Sequence, residues 1–180
     1  MRFERFSEKP PGPGEVLVRV KACGVNFADL FVRRGVYAAA KGLYPICPGL
    51  EFSGDVSETG PGVETFNAGD RVFGACRFGG YSSAVTCPAD HLWRLPRRWS
   101  YPRGASFPVA YLTAYYGLHP VGHLGSEDIV LVHSAAGGVG TAALHLLRIN
   151  GGRTVGVVGS AHKKSHAEAA GAGDVVVASS

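Results

Sequence analysis

Apolar and polar positions divide the chain into two stretches with different periods. Over the first hundred residues, short apolar runs alternate with glycine and proline turns. Val16 to Val20 is a β-branched run behind the turn Pro11-Gly12-Pro13-Gly14 and predicts a strand. Phe52 to Ser57, Arg71 to Ala75, Tyr81 to Thr86 and His91 to Leu95 predict further strands. Gly54, Gly60, Gly62 and Gly69 mark turns or bulges among them. Many short strands with frequent turns indicate a small barrel or sandwich. One helix interrupts them. Asn26 is placed to cap a segment carrying Phe27, Leu30, Phe31 and Arg34 at helical spacing, ended by Gly35.

From about Ala105 the pattern changes. Ala105 to Leu118 predicts a helix with Pro108 inside it. Asp128 to Val132 is a continuous apolar run, as in a parallel strand covered on both faces. Thr141 to Ile149 predicts a helix closed by Asn150-Gly151-Gly152. Thr154 to Val158 predicts the next strand, Ala161 to Ala170 a second helix, and Val175 to Val177 the start of a third strand. This β-α-β-α-β order is the opening of a doubly wound parallel sheet. The fold class is α/β, with a β domain at residues 1–110 and a partial dinucleotide-binding domain at residues 111–180.

Composition narrows the function classes. The 180 residues are 46% hydrophobic and 18% charged, which suits a folded chain and argues against disorder. No apolar run is long enough for a membrane span. The charged start MRFERFSEKP lacks the apolar stretch of a secretory signal, so a cytoplasmic location is expected. Cys23, Cys47, Cys76 and Cys87 form no C-x-x-C pair, which disfavours a zinc ribbon and suits reduced thiols. The net charge of +4 is mildly basic. Arg94, Arg97, Arg98 and Arg103 cluster near Trp93, Trp99 and Tyr101. A solvated arginine-rich loop is the reading adopted, and no nucleic acid is expected as a partner.

The strongest chemical signal is the turn Ser134-Ala135-Ala136-Gly137-Gly138-Val139-Gly140, between a strand and a helix. Set against G-x-G-x-x-G, Ala135 replaces the first glycine, while Gly137 and Gly140 keep the second and third. A missing Cβ at Gly137 lets a pyrophosphate approach the backbone, and Gly140 lets helix and strand pack closely. The helix start offers unpaired N–H groups and a partial positive charge. A glycine-rich turn in an unrelated α/β protein is the alternative. The end of the next strand reads Val158-Gly159-Ser160-Ala161-His162-Lys163-Lys164. It lacks the carboxylate that holds an NAD ribose 2′-OH. Ser160 and Lys163, with Lys164 as a second candidate, suit a 2′-phosphate, so NADPH is the expected cofactor. Both lysines would also fit an ordinary solvated helix.

Several segments together resemble the medium-chain dehydrogenase/reductase superfamily, and its zinc-free quinone oxidoreductase branch with the VAT-1-related proteins in particular. They are Ala22-Cys23-Gly24-Val25-Asn26-Phe27-Ala28-Asp29-Leu30, Pro48-Gly49-Leu50-Glu51-Phe52-Ser53-Gly54, Ala68-Gly69-Asp70-Arg71-Val72, Leu112-Thr113-Ala114-Tyr115-Tyr116 and the Ala135 to Gly140 turn. The resemblance implies a GroES-like β domain followed by a Rossmann domain. It also implies that Asn26 stands where zinc-dependent members carry a ligating Cys, and Leu50 where they carry His. No metal is then expected. His119 with His123, and His162 with His166, are read as solvated or structural. Proline and glycine at 120 and 122 argue against a helix for the first pair.

The resemblance further implies that Asn26 and Tyr37 orient and polarise the reacting carbonyl, by amide donation and by hydrogen-bond or proton donation. Asn26, Thr113 and Tyr116 would contact the nicotinamide end. Ala135, Gly137, Gly138, Val139 and Gly140 would hold the pyrophosphate, and Ser160 and Lys163 the 2′-phosphate. The implied activity is NADPH-dependent, zinc-independent hydride transfer to a quinone or an α,β-unsaturated carbonyl. Two alternatives stay open: an enoyl-thioester reductase of the same superfamily, or a non-catalytic relative acting by binding a membrane, a vesicle or RNA. Family members are longer, so the chain reads as truncated, with little catalysis expected of 180 residues alone and a homodimer expected only of a full-length form.

Overall fold

The computed structural model describes residues 2–7 and 9–178. It divides into two compact units, Met1–Val109 and Ala110–Ser180.

The first unit is built on a five-stranded antiparallel sheet. Its strands are β1 (Glu15–Cys23), β2 (Glu51–Thr59), β3 (Arg71–Ala75), β4 (Ala84–Pro88) and β5 (Leu92–Arg94), in the order β4-β1-β2-β3-β5. β1 is an interior strand, pairing with both β2 and β4, and shifts register against β2 between Leu17 and Val18 and between Val20 and Ala22. The sheet holds because its β-branched and aromatic residues converge on one core: Val16, Val18, Phe52, Val56, Val72, Val85 and Leu92 are all buried. Each such side chain contributes about 1.5–3 kcal/mol by leaving water.

Helix α1 (Phe27–Arg33) interrupts the strands, as its spacing predicts, but the face it buries is not the one the pattern picks out. Asp29 and Val32 are buried, whereas Phe27, Leu30 and Phe31 are exposed. The polar Asp29 goes inside because three donors await it, as described below.

Two other expectations need correction in this unit. The strand expected from Tyr81 begins only at Ala84. Residues 81–83 are spent on a turn: Tyr81 N–H donates to Pro48 O, and Ser82 Oγ bonds to the carbonyls of Gly79 and Ala84. The helix expected over Ala105–Leu118 is instead broken into α2 (Tyr101–Ala105) and α3 (Pro108–Tyr116). Pro108 opens the second helix, where a missing N–H costs nothing, instead of kinking one long helix.

The arginine-rich loop is partly consumed by the unit's own contacts. Arg94 pairs with Asp70 at 2.9 Å and donates to Thr65 O. Arg103 lies over the Trp99 ring. Arg71 donates to Trp99 O and to Tyr101 Oη, and Tyr101 in turn donates to Asp55 Oδ1.

The second unit carries β6 (Ile129–Val132), α4 (Gly138–Ile149), β7 (Arg153–Val158), α5 (Lys164–Ala170) and β8 (Asp174–Val177). The strands pair in parallel in the order β6-β7-β8. That is the 3-2-1 half of a Rossmann sheet. Ala142, Leu144 and Leu147 of α4 pack with Val132, Val158, and Ala167 and Ala170 of α5 in one buried cluster. Both helices lie on the same face. Ile129 and Leu131 on the other face are 58% and 56% exposed, so β6 is not covered on both sides as its apolar run predicts. The chain after α3 also departs from expectation. Despite Pro120, residues Gly117–Val121 form a π-helical turn that holds His119, whose Nε2 lies 3.3 Å from Asn150 Nδ2.

Candidate functional site

In the first unit the candidate residue Asn26 stands at the N-cap of α1, with extended φ and ψ of −122° and 156°. Asp29 closes a capping box with it, accepting the Asn26 N–H on Oδ2 at 2.8 Å. The same carboxylate accepts Gly49 N–H on Oδ1 at 3.2 Å and the Tyr81 hydroxyl on Oδ2 at 2.9 Å. Asp29 therefore ties α1 to two loops from inside.

The Asn26 amide reaches across 25 residues, with Nδ2 donating to Glu51 Oε1 at 2.9 Å. Glu51 opens β2, is 3% exposed, and accepts Val109 N–H on Oε2 at 2.9 Å. Burial pushes its carboxyl above the ordinary range. The N–H donors of Val109 and Asn26 oppose that shift, and the charge of Asp29 adds to it. Gly24 makes room for this carboxylate. A Cβ there would stand 2.5 Å from Ala105 O and nearer still to Glu51 Oε1.

Tyr37 lies beyond α1, at the N-cap of a single 3-10 turn (Ala38–Ala40), and packs edge-on against Phe78. The structure places it with Phe78 and records no hydrogen bond between it and Asn26. The nearby thiols are poor nucleophiles. Burial raises the pKa of Cys23 and Cys47, and that of Cys76 to about 12. Among the described residues no three His, Cys, Asp or Glu side chains are grouped to hold a metal ion. The Asn26 nitrogen faces a carboxylate it donates to, which does not fit a zinc ligand.

In the second unit the glycine turn has the geometry its sequence calls for. Ser134 takes a left-handed φ of 51°, and Gly137 N–H folds back to Ser134 O at 2.8 Å. Ala135, at the first-glycine position, is fully buried and donates its N–H to Val157 O of β7 at 2.9 Å. A Cβ on Gly140 would fall 2.8 Å from Ala135 Cα and closer still to Ser134 O. Only glycine permits that approach of helix to strand.

Gly137 is exposed, and a Cβ there would meet Ser134 alone, its carbonyl oxygen at 3.1 Å and its Cβ at 3.9 Å. The first intrahelical bond is Thr141 N–H to Gly137 O. The N–H groups of Gly138, Val139 and Gly140 thus precede the helical ladder, and Gly138 and Val139 are exposed. The turn thus leaves exposed backbone at the positive end of a twelve-residue helix.

The other expected residues surround this turn unevenly. Ala110 of α3 lies 4.0 Å from where a Gly138 Cβ would stand, and Thr113 follows one turn along the same helix. Thr113 and Tyr116 are both exposed, either side of buried Ala114. Ser160 caps the 3-10 turn Ala161–Lys163 that follows β7, and Lys163 N–H donates to Ser160 O at 3.1 Å. Lys163 is exposed and has no ion pair among the described residues, whereas Lys164 pairs with Glu168 at 3.8 Å.

Three contacts were not legible beforehand. His166 Nε2 lies 3.2 Å from Thr141 Oγ1, joining α5 to the first turn of α4. Tyr111 Oη lies 2.5 Å from His145 Nδ1, and burial lowers the pKa of that histidine. The Asn26–Glu51 bond joins residues too far apart for any sequence period. Its one signal was an acid following Pro48-Gly49-Leu50 at the head of an apolar strand.

A GroES-like β domain followed by the opening of a Rossmann sheet defines the class. Residues 12–97 match the family model for the alcohol dehydrogenase GroES-like domain. The chain is homologous to the VAT-1 homologs and to the quinone oxidoreductases of the medium-chain dehydrogenase/reductase superfamily. It is 44% identical over 156 residues to the synaptic vesicle membrane protein VAT-1 homolog of Rattus norvegicus, covering 87% of this chain and 38% of that protein.

Among solved structures it resembles the Escherichia coli quinone oxidoreductase complexed with NADPH. The TM-score is 0.85 and the identity 36%, over 96% of this chain and 53% of that one. It also resembles the CurK enoyl reductase, with a TM-score of 0.90 and 28% identity over 98% of this chain and 55% of that one. The chain thus spans roughly two-fifths to just over half the length of these relatives. Among the described residues, no helix is long and apolar enough to cross a membrane.

Proposed function

We propose that the chain forms the GroES-like and first Rossmann portion of an NADPH-dependent, zinc-independent oxidoreductase that reduces quinones or α,β-unsaturated carbonyls. The observation that carries this reading is the glycine turn. Its exposed N–H groups at Gly138 and Val139 and its open backbone at Gly137 fit a pyrophosphate. The likeness to a quinone oxidoreductase complexed with NADPH supports the same assignment.

Ala135 seats the turn on β7, and Gly137 to Gly140 hold the pyrophosphate. Ser160 and the exposed ammonium of Lys163 bind the 2′-phosphate. Thr113 and Tyr116 line the nicotinamide side, and Tyr37 offers a hydroxyl to the substrate. Asn26 donates an amide hydrogen to the substrate oxygen, stabilising the charge that develops there. The hydride itself is supplied by NADPH when bound.

An enoyl-thioester reductase is the second reading, favoured by the likeness to the CurK enoyl reductase. Titration with NADPH and NADH, followed by turnover with a quinone, an enone and an enoyl thioester in parallel, tests both. NADPH binding with quinone or enone turnover supports the first reading. Turnover of the thioester alone supports the second.

A further inference from the structure

Glu51 is a buried carboxylate that takes part in none of the ion pairs among the described residues. Its partners are two N–H donors, Val109 N at 2.9 Å and Asn26 Nδ2 at 2.9 Å. A neutral amide at this position would be cheaper to bury. It would also accept either polarity of a facing amide. An ionised carboxylate is acceptor-only, so it forces the nitrogen of Asn26, and not the oxygen, to face it.

On its other flank Asn26 is fixed by the capping box with Asp29. The amide nitrogen carries two hydrogens, and the second has no partner among the described residues. The space for this arrangement exists only because position 24 lacks a Cβ.

We propose that Glu51 is a positioning residue: its carboxylate locks the Asn26 amide in one orientation and keeps one amide N–H available to the oxygen of the reacting substrate. The inference rests on the assignment of Asn26 to the reacting end made above. Glu51 touches no substrate and acts through Asn26.

The test uses the whole chain, isotopically labelled so that the Asn26 side-chain amide is followed by NMR, together with melting temperature, NADPH affinity and turnover. In the wild type, one Asn26 amide hydrogen is expected to exchange slowly and the other fast. In Glu51→Gln the one amide oxygen stays on the fixed Val109 N–H, so the amide nitrogen faces position 26 and the Asn26 amide turns to present its oxygen. The substitution should abolish the slow hydrogen and lower turnover roughly tenfold or more, as loss of a charge-assisted hydrogen bond implies, with NADPH affinity within about threefold. Glu51→Asp, which keeps the acceptor, should recover part of the turnover.

The double variant Asn26→Asp with Glu51→Gln reverses the polarity of the pair. It should restore melting temperature without restoring turnover, because position 26 then has no hydrogen to donate. A merely structural pair would recover both, and that result overturns the proposal. So does an Asn26 amide unchanged by Glu51→Gln. If the wild type neither binds NADPH nor turns over but its slow amide hydrogen depends on Glu51, the oxidoreductase reading and the donation to substrate fail, while the orientation of the Asn26 amide by Glu51 stands.

Discussion

Replacing Gly140 by alanine separates the structural from the ligand-binding work of the glycine turn. The new Cβ would meet Ala135 Cα at 2.8 Å and Ser134 O at a shorter distance still. Both are backbone atoms at the β6–α4 junction, so no side chain can swing aside. Overpacking of this kind costs about 1–3 kcal/mol. Alanine gains at most about 0.5–1 kcal/mol over glycine inside a helix, so the clash wins by roughly 1–2 kcal/mol. In a unit this small that lowers the melting temperature by about 4–16 °C.

Gly137→Ala is the matched control. Its Cβ would meet Ser134 alone, the carbonyl oxygen at 3.1 Å and Cβ at 3.9 Å, on an exposed surface. Melting temperature should change by no more than about 4 °C, since surface changes fall within ±0.5 kcal/mol. NADPH affinity should still fall, because the Cβ occupies the side a pyrophosphate approaches. Thermal denaturation and fluorescence titration of both variants read the two effects apart. A Gly140→Ala variant as stable as wild type would refute the close approach. A Gly137→Ala variant with full NADPH affinity would refute the pyrophosphate site.

Lys163→Glu should weaken NADPH at least about tenfold and leave NADH nearly unchanged, because only NADPH carries the 2′-phosphate; equal losses would remove Lys163 from the site. Gly24→Ala should destabilise the first unit by about 1–3 kcal/mol, read by chemical denaturation, because its Cβ would press on Glu51 Oε1 and Ala105 O. Glu51 also predicts a pH effect. Its folded-state pKa is raised, chiefly by burial, so the folded protein holds this proton more tightly than the unfolded chain. The resulting stability is complete below the unfolded value of about 4.3 and is lost as pH rises through the folded value. Denaturation midpoints should show this decline in the wild type and not in Glu51→Gln. Identical pH profiles would contradict it.

Much of the fold was written in local pattern. β3 runs Arg71–Ala75 as expected, and the second unit follows the expected β-α-β-α-β order. The errors share a cause: local pattern does not report what a residue meets across the fold. Tyr81 and Ser82 spend hydrogen bonds on Pro48, Gly79 and Ala84 in a turn, so the strand waits for Ala84. Pro108 was read inside a helix when its ring geometry suits a helix start. In α1 the apolar spacing identified the helix but not its buried side, which the donors around Asp29 decide. At the candidate site the glycine turn was legible because its chemistry is contiguous. The Asn26–Glu51 bond was not, because its two ends share no period and meet only through the pairing of β1 with β2.

The measurement closest to the central claim is a titration of the chain with NADPH and with NADH, following nicotinamide fluorescence and melting temperature together. The account predicts saturable binding that favours NADPH. Stabilisation should reach about 2.7 kcal/mol at a hundredfold excess over Kd, a rise of roughly 10–20 °C in a unit of this size. A cooperatively melting chain whose fluorescence and melting temperature ignore NADPH would contradict it.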